Sequence, residues 1–194
     1  MDNLSSLKRL CLNRSLESYL PSDEWLPPTV QTLEVCSSKS LKSLPLSPNL
    51  SSLQQLIIQN CRELTSVVGI QNLNSLKELV IKDCPALQLS PNEYLPCSLQ
   101  SLNVSNCENL RSLPILHRKM SVLERLKLSK CPRLTQVYGL SDLRFLRCWI
   151  ILDCPALLLS SDKRPRVNCP PLPELKKWSR TSEIGNRGSY HFSE

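Results

Sequence analysis

Glycine is scarce in this chain, with four in 194 residues. Loops that cradle phosphate through backbone N–H groups need glycine at fixed positions, and neither G-x-x-x-x-G-K-[ST] nor G-x-G-x-x-G occurs. G-x-S-x-G and H-E-x-x-H are absent too. Only two histidines, His117 and His191, are present, and no C-x-x-C pair accompanies them, which excludes the usual zinc ligand sets. Aromatic residues make up 5%, so another residue type must fill the core. No apolar run approaches the ~18 residues of a membrane-spanning helix. The N-terminus, M-D-N-L-S-S-L-K-R-L, has no signal-peptide core. These absences point to a non-enzymatic chain with no cofactor, no metal and no small-molecule substrate.

What the chain does have is leucine in phase. Leu53, Leu56, Ile58, Cys61 and Leu64 recur as Leu76, Leu79, Ile81, Cys84 and Leu87, 23 residues on. Further copies are Leu99, Leu102, Val104, Cys107 and Leu110, then Leu123, Leu126, Leu128, Cys131 and Leu134. The last is Leu146, Trp149, Ile151, Cys154 and Leu157. Upstream, Val30, Leu33, Val35, Ser38 and Leu41 fit with Ser in the Cys position, and Leu7, Leu10 and Leu12 begin a first copy. The spacing within a copy fits neither a helix nor a simple alternating strand. It fits one turn of a leucine-rich solenoid, whose period is about 20–29 residues.

The expected fold is therefore an α/β leucine-rich-repeat horseshoe of about seven repeats over residues 1–160. One parallel strand per repeat would form the concave sheet, near residues 9–12, 32–35, 55–58, 78–81, 101–104, 125–128 and 148–151. A unit of 23 residues leaves little room for an outer helix. The prolines of P-S-D-E-W-L-P-P and L-K-S-L-P-L-S-P fix φ and cannot donate to a ladder. The convex side is expected to hold loops with short 3₁₀ or helical turns. A longer period of 69–70 residues also links D-C-P-A-L at Asp83–Leu87 to the same string at Asp153–Leu157. It aligns Gly69 with Gly139 in equivalent turns, where φ > 0 is expected.

Register is already established at Leu4 and Leu7 with no polar cap before it, which suggests a fragment of a longer chain or a truncated product. From Ser160 the period fails. Residues 161–194 form a basic, proline-rich tail in which Leu172, Leu175 and Trp178 could cap the last repeat, with a disordered end.

Five of the ten cysteines share one repeat position. Stacked strands would put their Cα atoms about 4.8 Å apart, with parallel Cβ atoms at nearly that distance, beyond the ~3.8 Å of a disulfide. They are expected to be reduced, buried and small, with a weak S–H donor for the turn. That suits the cytoplasm or nucleus. Cys11, Cys36 and Cys148 should face the concave side, where they could be reactive thiols, although nothing argues for a lowered pKa. His117 reads as a lone surface residue.

The net charge is +7, with Lys and Arg interleaved among Asp and Glu, a pattern that fits solubility better than nucleic-acid binding. The variable positions between the leucines form the candidate surface: Lys8, Arg9, Glu34, Gln55, Ile57, Lys77, Glu78, Val80, Lys82, Asn103, Arg125, Lys127, Lys130, Arg147 and Ile150. Its middle is rich in amides and both ends are basic, which suits a protein partner with acidic groups. Apolar Ile57, Val80 and Ile150 on an exposed sheet face support an interface.

L-Q-S-L-N-V-S-N-C-E-N-L-R-S-L-P, Leu99 to Pro114, and the repeated D-C-P-A-L resemble the C-terminal leucine-rich region of plant nucleotide-binding disease-resistance receptors of the coiled-coil type. The resemblance covers about residues 1–160. Extracellular plant repeats differ by Asn in the Cys position and an L-S-G-x-I-P continuation. The resemblance implies a non-catalytic recognition module that senses pathogen effectors and contacts other domains of the same receptor to hold it inactive. That family's nucleotide-binding and signalling domains have no counterpart here, so ADP or ATP would belong to a missing domain. The alternative is a substrate-recruiting module of an F-box-type ubiquitin-ligase adaptor, whose cysteine-containing repeats are usually longer. A nucleic-acid binder using the basic ends is a third reading.

Overall fold

The computed structural model describes residues 7–13, 26–90, 94–115, 122–140, 143 and 145–157. Seven strands of five residues recur at the repeat period: β1 (Arg9–Asn13), β2 (Thr32–Cys36), β4 (Gln55–Gln59), β6 (Glu78–Lys82), β7 (Ser101–Ser105), β9 (Arg125–Ser129) and β11 (Cys148–Leu152). They form one parallel sheet in the order β1-β2-β4-β6-β7-β9-β11. Each strand starts at the expected residue and runs one residue further. The chain is a repeat solenoid of parallel strands.

The register is uninterrupted. Leu33 pairs with Leu56, Leu56 with Leu79, Leu79 with Leu102, and Leu102 with Leu126. Each repeat thus lays its leucine on the one before. Alternation along a strand sends successive side chains to opposite faces, and the burial follows: Leu33, Val35, Leu56, Ile58, Leu79 and Ile81 are fully buried. Burying such a side chain stabilises by roughly 1.5–3 kcal/mol, and the repetition makes the core continuous.

Two backbone devices close each turn. Before each strand, one carbonyl accepts two N–H groups from the next repeat, as Gln54 does from Lys77 and Glu78, and Lys77 does from Gln100 and Ser101. After β2, β4, β6, β7, β9 and β11, a residue with positive φ turns the chain: Ser37, Asn60, Asp83, Asn106, Lys130 and Asp153, all at 53–57°. Their N–H groups extend the ladder, as from Asn60 to the Lys82 carbonyl at 3.0 Å and from Asn106 to that of Ser129 at 2.9 Å. Asn and Asp tolerate this left-handed conformation better than other non-glycine residues, which accounts for four of the six.

The cysteine position follows directly. Cys61, Cys84, Cys107 and Cys131 are fully buried and Cys154 nearly so, and all five are free thiols. Each Sγ lies against the carbonyl two residues earlier, at 3.2–3.5 Å. A small side chain with a weak donor fits there. In the second repeat Ser38 takes the position, fully buried, and its Oγ accepts from the Leu41 N–H at 3.2 Å.

The side of the core away from the large sheet differs from the expected loops. It carries two short parallel pairs, β3 (Ser43–Pro45) with β5 (Ser66–Val68), and β8 (Ser112–Pro114) with β10 (Gln136–Tyr138). Proline ends β3 and β8, where its missing N–H does not interrupt the pairing. The helical part of the expected α/β class is reduced, among the described residues, to 3₁₀ turns at Ile70–Asn72 and at Leu140, each directly after a glycine. The short repeat and its prolines leave no room for more. Gly69 and Gly139 both take positive φ, 87° and 79°, as their equivalent turns require. A Cβ on Gly69 would sit 2.3 Å from the Leu46 carbonyl oxygen. The tail at 161–194, with its cap of Leu172, Leu175 and Trp178, lies outside the described residues, and so does His117.

Candidate interaction surface

The face of the seven-stranded sheet turned away from the core carries three side-chain columns set by the register. The first runs Arg9, Thr32, Gln55, Glu78, Ser101, Arg125, Cys148; the second Cys11, Glu34, Ile57, Val80, Asn103, Lys127, Ile150; the third Asn13, Cys36, Gln59, Lys82, Ser105, Ser129, Leu152. Of the surface residues expected from sequence, Arg9, Glu34, Gln55, Ile57, Glu78, Val80, Lys82, Asn103, Arg125, Lys127 and Ile150 occupy these columns. Lys8, Lys77 and Arg147 stand one residue before their strands, and Lys130 sits in the turn after β9. These four flank the face.

Contacts along the columns are cross-strand. Arg9 forms an ion pair with Glu34, its Nε donating at 3.1 Å. The Gln55 amide donates to Glu78 at 2.8 Å, and Arg125 Nε lies 3.5 Å from Ser101 Oγ. On the flank, the Asn106 amide donates to Asp83 at 2.7 Å. The basic character expected at both ends is therefore unequal. At the N-terminal end Glu34, 25 residues away in sequence, answers Arg9. The outward positions of β1, β2, β4 and β6 hold Arg9 and Lys82 against Glu34 and Glu78, whereas those of β7, β9 and β11 hold Arg125 and Lys127 with no carboxylate.

Asn103 stands at the edge of this unbalanced region, on β7 between Val80 and Lys127. Its Oδ1 is buried and has no hydrogen-bond partner. An orphaned buried acceptor costs roughly 1–3 kcal/mol, so its place beside Val80 and Lys127 calls for a reason. Leu152, 55% exposed, and half-buried Ile150 add an apolar margin at β11, and Phe145 is also exposed. Periodicity gave no sign of Phe145, which sits between repeat positions.

The thiols of this face are dull nucleophiles. Burial first, then the charges of Cys11 and Glu34, push Cys36 up to about 11, and burial raises Cys11 as well. Cys148, which the sequence leaves open as a reactive thiol, is disulfide-bonded, which removes its S–H. Within the buried stack, hydrogen bonding to the neighbouring thiol, reinforced by burial, pushes Cys84 and Cys107 well up. Along the turn edge, Asn106, Glu108, Asn109, Lys130, Pro132, Arg133, Asp153 and Pro155 line an open groove of about 690 Å³. Lys130 stands among the surface positions expected from sequence; that it shares a groove with Glu108, Asn109 and Arg133 depends on the stacking of successive turns, which the spacing does not show. The groove's two cations stand beside two carboxylates, and Arg133 donates to Asn109 at 2.6 Å. Among the described residues no three His, Cys, Asp or Glu side chains are grouped to hold a metal ion. Among them, too, no helix is long and apolar enough to cross a membrane.

No protein-family model matches the chain, and no curated protein matches it at a significant level.

Proposed function

We propose that the chain is a leucine-rich-repeat recognition module of an intracellular plant immune receptor, and that the outward face of its large sheet, as the concave face of a horseshoe, binds protein. The observation that carries this reading is the outward columns. Seven in-phase strands present side chains of changing chemistry, from an ion pair at Arg9 and Glu34 through amides and Val80 to cations at Arg125 and Lys127. A rigid backbone with variable outward positions is how repeat proteins build extended binding surfaces. The receptor assignment rests on the resemblance of Leu99–Pro114 and the two D-C-P-A-L strings. The partner is then a pathogen effector or another domain of the same receptor, and the setting is the cytoplasm or nucleus; the free buried thiols favour that setting, and the disulfide at Cys148 counts against it. The module does no chemistry of its own and binds neither nucleotide nor metal. The transcript upstream of Met1 tests the assignment. A nucleotide-binding domain encoded in frame supports it; an F-box there would replace it with a ubiquitin-ligase adaptor.

A further inference from the structure

We propose that the C-terminal part of the outward face, on β7, β9 and β11, is a docking site for an extended acidic peptide segment that carries apolar residues. The inference rests on the reading of this face as a recognition surface and deepens it by naming the place and the partner's chemistry.

Charge complementarity is the first argument. Arg125 pairs laterally with Ser101 and Cys148, and Lys127 with Asn103 and Ile150. None of these neighbours is anionic, and neither cation forms an ion pair among the described residues. On the flanks, the Arg147 N–H bonds the Glu124 carbonyl and Lys130 lines one groove with Asp153, so each flanking cation has an acidic residue near it and the excess positive charge lies on the sheet itself. A guanidinium fork recognises a carboxylate with two parallel hydrogen bonds. The second argument is the orphaned Asn103 Oδ1, one column step from Lys127, which needs a donor that the described residues do not supply. A main-chain N–H of an extended peptide crossing the face is such a donor. The third is the apolar margin of Ile150 and Leu152 beside the cations, which suits a peptide in which acidic and apolar side chains alternate.

Nucleic acid fits poorly. Two uncompensated cations are few against the 6–10 phosphate contacts of typical binders. No outward position on these strands is aromatic, so bases have nothing to stack on.

The test uses the full chain and a fluorescein-labelled peptide of Glu-Glu-Leu repeats, read by fluorescence anisotropy at low and high salt. Its Lys-Lys-Leu counterpart and single-stranded oligo-dT serve as competing probes. Arg125→Glu with Lys127→Glu should weaken Glu-Glu-Leu binding by about tenfold or more. The matched reversal Lys39→Glu with Lys42→Glu, both exposed and off the outward columns, should change it by less than about twofold. Asn103→Leu keeps the bulk, removes the acceptor, and should weaken binding several-fold while the variant stays folded by circular dichroism. Equal weakening by both reversals would show diffuse attraction and overturn the site. Loss with Lys77→Glu and Lys82→Glu, and none with the Arg125 and Lys127 pair, would move binding elsewhere on the face, overturning this proposal while leaving the recognition reading intact. Binding indifferent to every variant would overturn both. Tighter binding of oligo-dT would replace the peptide with nucleic acid, and failure of the Glu-Glu-Leu peptide to bind would refute the stated chemistry.

Discussion

Replacing Leu102 with Ala removes three carbons from the middle of the core. Leu102 is 1% exposed, on β7, with Leu79 beside it on one neighbouring strand and Leu126 on the other. At about 0.8 kcal/mol per buried methylene the transfer contribution alone is about 2.4 kcal/mol. Repeats stacked on both sides limit collapse of the hole, so the total should fall in the range of roughly 2–5 kcal/mol seen for such truncations. A domain has only about 5–15 kcal/mol in all. Asn103, the next residue, points to the other face. Asn103→Ala removes an acceptor that has no partner among the described residues, and the penalty it relieves offsets the packing lost with the side chain, so the net change should be small, by no more than about 0.5 kcal/mol, and upward if it moves at all. Urea unfolding followed by far-UV circular dichroism reads both. Leu102→Ala should lower the midpoint sharply with little change in slope, and Asn103→Ala should leave it in place. Equal losses would refute the assignment of inward and outward positions, and the columns of the candidate surface would fall with it.

Gly69→Ala should cost at least about 1–3 kcal/mol, since it combines positive φ with a Cβ 2.3 Å from the Leu46 oxygen; a melt matching the parent would contradict the turn geometry. Lys130 is the odd residue in the left-handed turn series, with φ 53°. Lys130→Asn should therefore stabilise by roughly 0.5–1 kcal/mol in chemical denaturation, and a loss of stability would count against the shared turn. Cys36, raised to about 11 from 9.0, favours the folded state while protonated. Its contribution is complete below pH 9, falls between pH 9 and 11, and should vanish in Cys36→Ser. Iodoacetamide should correspondingly label Cys36 in the folded chain more slowly at pH 9 than in urea; equal rates would refute the raised thiol. Cys61, Cys84, Cys107, Cys131 and Cys154 should resist alkylation until the chain is unfolded, then all react without reductant. A mass shift short by any pair of them would mean a disulfide.

The strands were legible because the signal repeats. One copy of L-x-x-L-x-I-x-x-C is ambiguous, but copies held in phase from Leu53 to Leu157 fix which residues stack. The inward column needs only that phase, so Leu56, Leu79 and Leu102 land where the spacing puts them. The back of the solenoid was less legible. S-L-P at 43–45 and 112–114 reads as loop because of its proline, yet the stacking brings Ser43 beside Ser66 and Ser112 beside Gln136, and short ladders form. The left-handed turn at Asn60, Asp83, Asn106 and Asp153 has a chemical signature in Asn and Asp; at Ser37 and Lys130 the fold overrides side-chain preference. The surface was legible as positions and not as contacts. That Glu34 answers Arg9, or that the Asn103 acceptor is left alone, depends on which side chains the register brings together.

Photo-crosslinking tests the recognition claim most directly. A benzophenone amino acid replaces Val80 on the outward face or Val68 on β5, and the purified chain is irradiated in plant leaf extract. Val68 is 46% exposed and Val80 only partly, so random collision favours Val68. The account predicts a discrete protein adduct from position 80 that excess unlabelled chain competes away, and none from position 68. Adducts from position 68 alone, or equally from both, would contradict it.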